Sequence, residues 1–391
     1  MLTVVLNKNE EKEKIEGFPW VFNNEINSFK GDNIVSGEVV RVVTFDGKFV
    51  AYGFLNTSSK IMVRILSRNE EDVIDREFFK RKMEYALEHR KNINFNDSNC
   101  MRLIFAEADS LPGLIVDKYA NYLSVQFLSL GMDKIKGMIV ELLIELTGCL
   151  GIYERSDVPV REKEGLPLFK GPIYGEFDPR VEVMENGIKF IVDLAEGQKT
   201  GYFLDQKLNR DNIKYYCKDK NVLDCFSNVG GFALHACKYG AAHVDACDIS
   251  KKACDDILVN ARLNNFNQLD VICEDTFNLL RDPKMVNKYD TIILDPPAFT
   301  KSKDSVKNAY KGYKEINLSA MKIIKSGGYL LTFSCSQHMT PDLFMQMIKE
   351  AAHDAKRSVQ FLDFRIQSID HPALLQSDEQ LYLKCMILRI N

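Results

Sequence analysis

The sequence predicts an α/β protein in which a doubly wound, mostly parallel sheet fills the C-terminal half, preceded by a small β-barrel and a small α+β unit. Three observations predict it. From about Asn186, short apolar strands (VLDCF, HVDACDI, DVICED, TIILDPP, GYLLTFSC) alternate with helical stretches, the pattern of parallel strands joined by crossover helices. Residues 33 to 66 alternate β-branched or aromatic with polar residues around a strong Asp46-Gly47 hairpin turn. Between these regions, helix-spaced and strand-like segments are mixed, as in an α+β unit.

At 391 residues the chain exceeds one ordinary domain. We read three: residues 1 to 72 as the barrel, 73 to 185 as the middle unit and 186 to 391 as the doubly wound domain. In the middle unit, DREFFKRKMEYALEHRK (Asp75 to Lys91) has helical spacing and a basic face. RLIFAEADSLPGLIVDKYANYLSVQFL supplies strands, and a second helix is expected from about Asp133 to Leu146.

Apolar residues make up 46% of the chain and charged residues 27%, a soluble globular composition. No apolar run approaches a membrane span, and MLTVVLNKNEEKEK becomes charged too early for a secretory signal, so a cytoplasmic protein is expected. The ten cysteines include no C-x-x-C pair, which argues against a zinc site and a disulfide framework; no metal is expected. A net charge of −4 gives no global attraction to nucleic acid, so such a partner must be met by local basic patches. One such patch runs from Lys301 to Lys325, with seven lysines (301, 303, 307, 311, 314, 322, 325) against Asp304 and Glu315, and it carries Tyr310 and Tyr313. That combination suits a backbone-tracking, base-stacking surface. The barrel has no such footprint: residues 1 to 72 hold nine basic and eleven acidic side chains, a balance of −2.

In NVLDCFSNVGGFALHACKYG a strand ends at Asp224, small residues turn, and a helix opens around Gly230 and Gly231. This is not the G-x-G-x-x-G dinucleotide fingerprint. A strand-ending acid beside helix N-terminal N–H groups suits a zwitterionic amino-acid ligand, although a ligand-free tight turn explains the motif equally well. The next strand ends in Asp248, placed to accept from ribose hydroxyls. S-adenosylmethionine fits these positions at least as well as NAD. The third gives Asp275 as an acceptor for an adenine amino group. Upstream, Phe203, Asp205 and Arg210 in GQKTGYFLDQKLNR can fold over a cofactor's amino-acid tail or simply enter an N-capped helix.

In KYDTIILDPPAFTKSK, Asp295 follows an apolar strand and precedes two prolines and Phe299. The prolines hold the backbone extended and leave carbonyls available. A carboxylate, a carbonyl and an aromatic face can grip the edge of a base. Such a device serves direct methylation of an exocyclic amine, or stabilises a pyrimidine attacked by a thiol. The phrase GGYLLTFSCSQHM places Cys335 at the end of a strand of the same sheet, between two serines. C5 of cytosine becomes nucleophilic when a thiolate adds to C6, and a carboxyl near N3 offsets the charge formed.

With these residues in view, the chain resembles bacterial class I methyltransferases that modify large-subunit ribosomal RNA at cytosine C5, the RlmI/YwbD-like group. The carriers are GQKTGYFLDQKLNR, LDCFSNVGGFALHA, ILDPPAFTKSK, YKGYKEIN and LLTFSCSQHMTPDLF. The resemblance spans essentially the whole chain. It implies a PUA-like, RNA-binding barrel and a Rossmann-like domain that uses S-adenosylmethionine. It also implies Cys335 as nucleophile and Asp295 as its carboxyl partner. Other cytosine-C5 RNA methyltransferases carry a second cysteine where this chain has Pro297 and Ala298, so one thiol would carry catalysis. The implied cofactor set is Phe203, Asp205, Arg210, Asp224, Phe226, Ser227, Gly230, Asp248, Ile249, Asp275, Thr276, Asp295 and Pro296. The implied substrate set is Pro297, Phe299, Tyr313 and Lys314. The expected partner is 23S rRNA or the assembling large subunit, with no membrane; a homodimer is compatible with a sequence that does not set the oligomeric state. Two rivals remain: methylation of a guanine or adenine nitrogen without a covalent step, and a non-catalytic RNA-binding or ribosome-assembly protein.

Overall fold

The structure is a computed structural model that describes all residues except Asn94, Asn96, 301–304 and 378–379. The chain forms two compact units. One comprises Met1–Val183, Val192–Leu204 and Ile369–Gln380; the other comprises Met184–Ile191, Asp205–Ser368 and Leu381–Asn391.

The first unit begins with a six-stranded sheet of Thr3–Leu6, Trp20–Phe22, Ile26–Lys30, Val39–Val43, Phe49–Leu55 and Ile61–Ser67. Its hairpin turns at Asp46-Gly47, where Thr44 N–H donates to the Lys48 carbonyl at 2.8 Å and Gly47 takes φ +88°, a value that favours glycine. The first three strands add to the alternating stretch read at 33 to 66, because short three- to five-residue pieces carry little pattern of their own. In the middle region, helix Arg76–Lys91 starts where the Asp75 carboxylate accepts from Phe78 N–H. It packs Phe78, Phe79 and Met83 with Phe54 of the barrel and with Leu114, Val116 and Ile139 into one core. Buried Arg64 bonds both Glu107 and Glu164, joining barrel to middle region by charge as well as by apolar contact.

The second unit is the doubly wound sheet. Its strands are β1 (Asn221–Cys225), β2 (His243–Asp248), β3 (Leu269–Cys273), β4 (Thr291–Leu294), β5 (Gly328–Ser334), β6 (Val359–Arg365) and β7 (Lys384–Ile390). They lie in the order β3-β2-β1-β4-β5-β7-β6, with β1 to β5 parallel and β7 antiparallel to both neighbours. Central strands read as continuous apolar runs because helices cover both faces. Ile292, Ile293 and Leu294 are fully buried, as are Val222 and Leu223.

Helix Val306–Ile323 turns Ala309, Tyr313, Ile316 and Ala320 inward, a helical spacing that packs against Leu294 and Leu330. Helix Pro341–Ala355 opens with Thr340 accepting from Leu343 N–H and proline at its first position, and adds Phe344, Met347 and Ile348. Each such side chain contributes on the order of 2 kcal/mol by leaving water. Among the described residues, no helix is long and apolar enough to cross a membrane.

Within this unit Arg210 and Glu185, 3% and 0% exposed, form a two-point ion pair at 2.7 and 3.2 Å. Removing one partner of such a pair leaves a buried charge without its counter-ion. Glu185→Ala should therefore lower stability by about 3–5 kcal/mol, read as a lower urea midpoint, whereas a solvent-exposed carboxylate such as Asp270 should change it little.

Candidate active site

Parallel strands end at one edge, and the predicted acids follow from that geometry. Asp224 is the second-last residue of β1, 1% exposed, and its Oδ2 accepts from Ser227 Oγ at 2.5 Å and Ala233 N–H at 3.0 Å. Its buried Oδ1 has no partner. Burial pushes the carboxyl up to about 7, against the pull of those two hydrogen bonds, and the charge of Asp248 adds to the rise. The turn that follows is tight: Phe226, Asn228 and Gly230 have φ of +61°, +53° and +89°. A Cβ on Gly230 would meet Leu234 at 3.1 Å, so both space and φ require glycine there.

Asp248, at the end of β2, clasps this turn through Asn228 N–H at 2.9 Å while its other oxygen accepts from Ser250 N–H. Ile249 next to it is 69% exposed. Asp275 caps helix Thr276–Arg281, accepting from Phe277 and Asn278 N–H, so its carboxylate is engaged locally. Thr276 is buried behind it, 3.8 Å from Cys247 Sγ. Of the upstream residues, Asp205 is buried and accepts from Tyr382 O–H at 2.6 Å. Arg210 pairs with Glu185, and its charge also acts on Asp224, against the rise of that carboxyl. Phe203 belongs to the first unit, with the Lys199 amino group over its ring.

The thiol edge is formed by β4, β5 and β7. Asp295 follows β4 directly, and Gln206 Nε2 donates to its Oδ1 at 3.0 Å. Gln206 is held by Asn209, and Asn209 by Arg365, so a buried polar chain orients the carboxylate. Cys335 follows β5, half-buried, with Sγ 3.9 Å from the Pro296 carbonyl oxygen, one residue beyond Asp295. Eight of the other cysteines are buried and Cys273 is exposed on β3.

The expected substrate residues separate. Pro297 is exposed and Phe299 half-buried, with its ring centroid 4.6 Å from that of Tyr313 and its edge against Gly312. Tyr313 is fully buried and its hydroxyl meets Ser336 Oγ at 2.9 Å, so it braces the wall behind Phe299 and offers no stacking face to solvent. Lys314 pairs with Glu350 and Asp354, and Lys325 with Asp290. Lys307, Lys311, Lys314 and Lys322 share one face of the helix, opposite buried Ala309, Tyr313, Ile316 and Ala320, while Lys325 lies beyond its C-terminus. Lys301 and Lys303 lie outside the described residues.

Two site residues escaped the sequence reading. Gln206 is buried beside Asp295, and Lys384, at the start of β7, donates from Nζ to the carbonyls of Ser336 and Tyr382, each at 2.7 Å. A lysine opening the final strand just before the apolar run CMIL was the available signal for the second; the first carried none. The potential metal ligands among the described residues, His243, Asp245 and Asp270, gather at the start of β2 and beside β3. There Lys288 and Tyr289 already bond Asp245.

A PUA-like domain model matches residues 4–68, and a model of the S-adenosylmethionine-dependent methyltransferases matches residues 172–389, more than half of the chain. Ribosomal RNA large subunit methyltransferase I of Aliivibrio fischeri is 40% identical, covering 100% of this chain and 99% of its own. The protein of that name from Vibrio vulnificus is 41% identical over 98% and 99%. A solved structure from Streptococcus mutans, described as an S-adenosylmethionine-dependent methyltransferase, overlays with a TM-score of 0.83 at 22% identity, covering 100% of both chains; that likeness concerns the fold. From one end to the other, then, the chain belongs to the S-adenosylmethionine-dependent methyltransferases, in the group of the ribosomal RNA large subunit methyltransferases I.

Proposed function

We propose that the protein methylates C5 of a cytosine in 23S rRNA through a covalent adduct between Cys335 and C6 of the base. The single observation that carries this reading is the position of the Cys335 sulfur, 3.9 Å from the Pro296 carbonyl and hence beside Asp295 at the open edge of the sheet. The names of the full-length relatives support large-subunit rRNA as the substrate class. The same reading puts the enzyme where ribosomes assemble, in the cytoplasm. It also keeps the division at residues 72 and 185, with the barrel as RNA anchor.

The residues of the β1 turn fit S-adenosylmethionine. The unpartnered Asp224 Oδ1 is a buried acceptor waiting for a donor, and a cofactor ammonium would supply one. Asp248 would accept from ribose hydroxyls, with exposed Ile249 against the adenine. When bound, S-adenosylmethionine supplies an electrophilic methyl group. Cys335 would add to C6 as thiolate, which makes C5 nucleophilic, while Asp295, oriented by Gln206, would bond the base near N3 and offset the charge of the adduct. Loss of the C5 proton then expels the thiolate.

Cys335→Ala should reduce 5-methylcytosine formation by at least about a thousandfold, measured by nucleoside mass spectrometry on rRNA incubated with enzyme and cofactor. Undiminished 5-methylcytosine would end the covalent reading, and a methylated purine nitrogen as product would favour non-covalent transfer. A second expectation concerns Asp224. Its carboxyl holds a proton up to about pH 7 in the free protein and must lose it to receive an ammonium. Cofactor affinity should therefore weaken as pH falls through about 7, approaching tenfold per unit, and calorimetry on Asp224→Asn should show weaker binding without that limb.

A further inference from the structure

Among the described residues of this unit, two lysines are buried, Lys207 and Lys384. Lys384 pairs in register with Ser334 of β5, the residue before Cys335, and its Nζ reaches past the thiol to the carbonyl of Ser336, the residue after it. A second bond goes to the Tyr382 carbonyl. The residue is 3% exposed, and among the described residues no carboxylate lies within ion-pair distance of its amino group. A buried ammonium with only carbonyl dipoles for company is costly unless an anion comes near. We propose that Lys384 is the positioning residue that holds Cys335 as a thiolate, its ammonium lying against the Ser334-Cys335-Ser336 turn as the counter-charge to sulfur.

Burial lowers the Lys384 ammonium to about 8, and the charge of Cys335 works against that fall. When a proton passes from Sγ to Nζ, thiol and amine become thiolate and ammonium, and no other bond changes. The pair is restored when the thiolate leaves C6, since sulfur departs as the anion that the ammonium already faces. Among the described residues, two further titratable groups lie near the thiol and neither favours its anion. Tyr313, from the helix over β5, is held neutral by burial, and Asp295, from the β4 loop, carries the wrong sign to favour a thiolate. The lysines between 301 and 325 described here are turned to solvent or paired elsewhere.

This inference rests on the covalent reading of Cys335, and its test is separable from it because alkylation needs neither RNA nor methyl donor. The full-length protein is treated with iodoacetamide across a pH series from about 6 to 9, and modification of Cys335 is followed by peptide mass spectrometry, with exposed Cys273 as internal standard. In the wild type, Cys335 should titrate at least one unit below an ordinary thiol at about 8.5. Lys384→Met should slow its alkylation at pH 7 by about tenfold and move the profile up by about one unit, leaving Cys273 unchanged, and Lys384→Arg should restore it. A wild-type Cys335 that titrates at about 8.5 or above overturns the proposal even if Lys384→Met does not fold. So does an unchanged Cys335 profile in a folded Lys384→Met chain, recognised by continued protection of the eight buried cysteines. A Cys335→Ala protein that still forms 5-methylcytosine would instead remove the covalent reading, whatever the thiol profile.

Discussion

The parallel pairing of β1, β2, β4 and β5 is the constraint on which the site depends. Strands that run the same way bring their carboxyl ends to one edge, so residues distant in sequence, Asp224, Asp248, Asp295 and Cys335, share it. The registers Cys225 to Leu294 and Leu294 to Thr332 leave the four ends nearly level. Reversal of the last strand adds a group that parallel pairing cannot supply. Because β7 runs antiparallel to β5, its first residue, Lys384, arrives where the other strands finish.

Burial at this edge acts on opposite charges in opposite directions. It raises the Asp224 carboxyl to about 7 and lowers the Lys384 ammonium to about 8, so both groups exchange protons near neutrality. The orphaned oxygen of Asp224 and the carbonyl-only surroundings of Lys384 are two forms of one state: polar atoms removed from water before their partners arrive. Asp295 is treated differently. A chain through Gln206, Asn209 and Arg365 fixes its orientation, as a carboxyl that must meet a planar base edge requires.

The wall beside this edge is apolar and rigid. Phe299 leans on Gly312 and Tyr313, and Tyr313 is tied by its hydroxyl to Ser336, so the β4 loop, the helix Val306–Ile323 and the β5 turn brace one another. The thiol therefore sits in a turn whose two flanking residues are anchored, Ser336 by Tyr313 and Lys384, and Ser334 by burial within β5. A nucleophile held this way loses little entropy when it attacks.

The five parallel strands, the acids that end them and the thiol between two serines were all legible in the sequence. They depend on local patterns: apolar runs of strand length, glycine where φ is positive, and polar residues where a run stops. The helix beginning at Asp75 and the Asp46-Gly47 turn were legible for the same reason. What only the tertiary structure decided was which long side chains reach the edge. Arg210 and Lys314 read as ligand contacts in sequence, and the fold sets Glu185 against the first and Glu350 and Asp354 against the second. Tyr313 reads as a stacking surface and is wholly interior, while Gln206, with no local signature, and Lys384, marked only by opening the last strand, stand beside Asp295 and Cys335. A side chain's neighbours along the chain fix its backbone geometry, but its charge partner is set by whichever strand or helix packs across from it, and that information is held in no contiguous stretch of sequence.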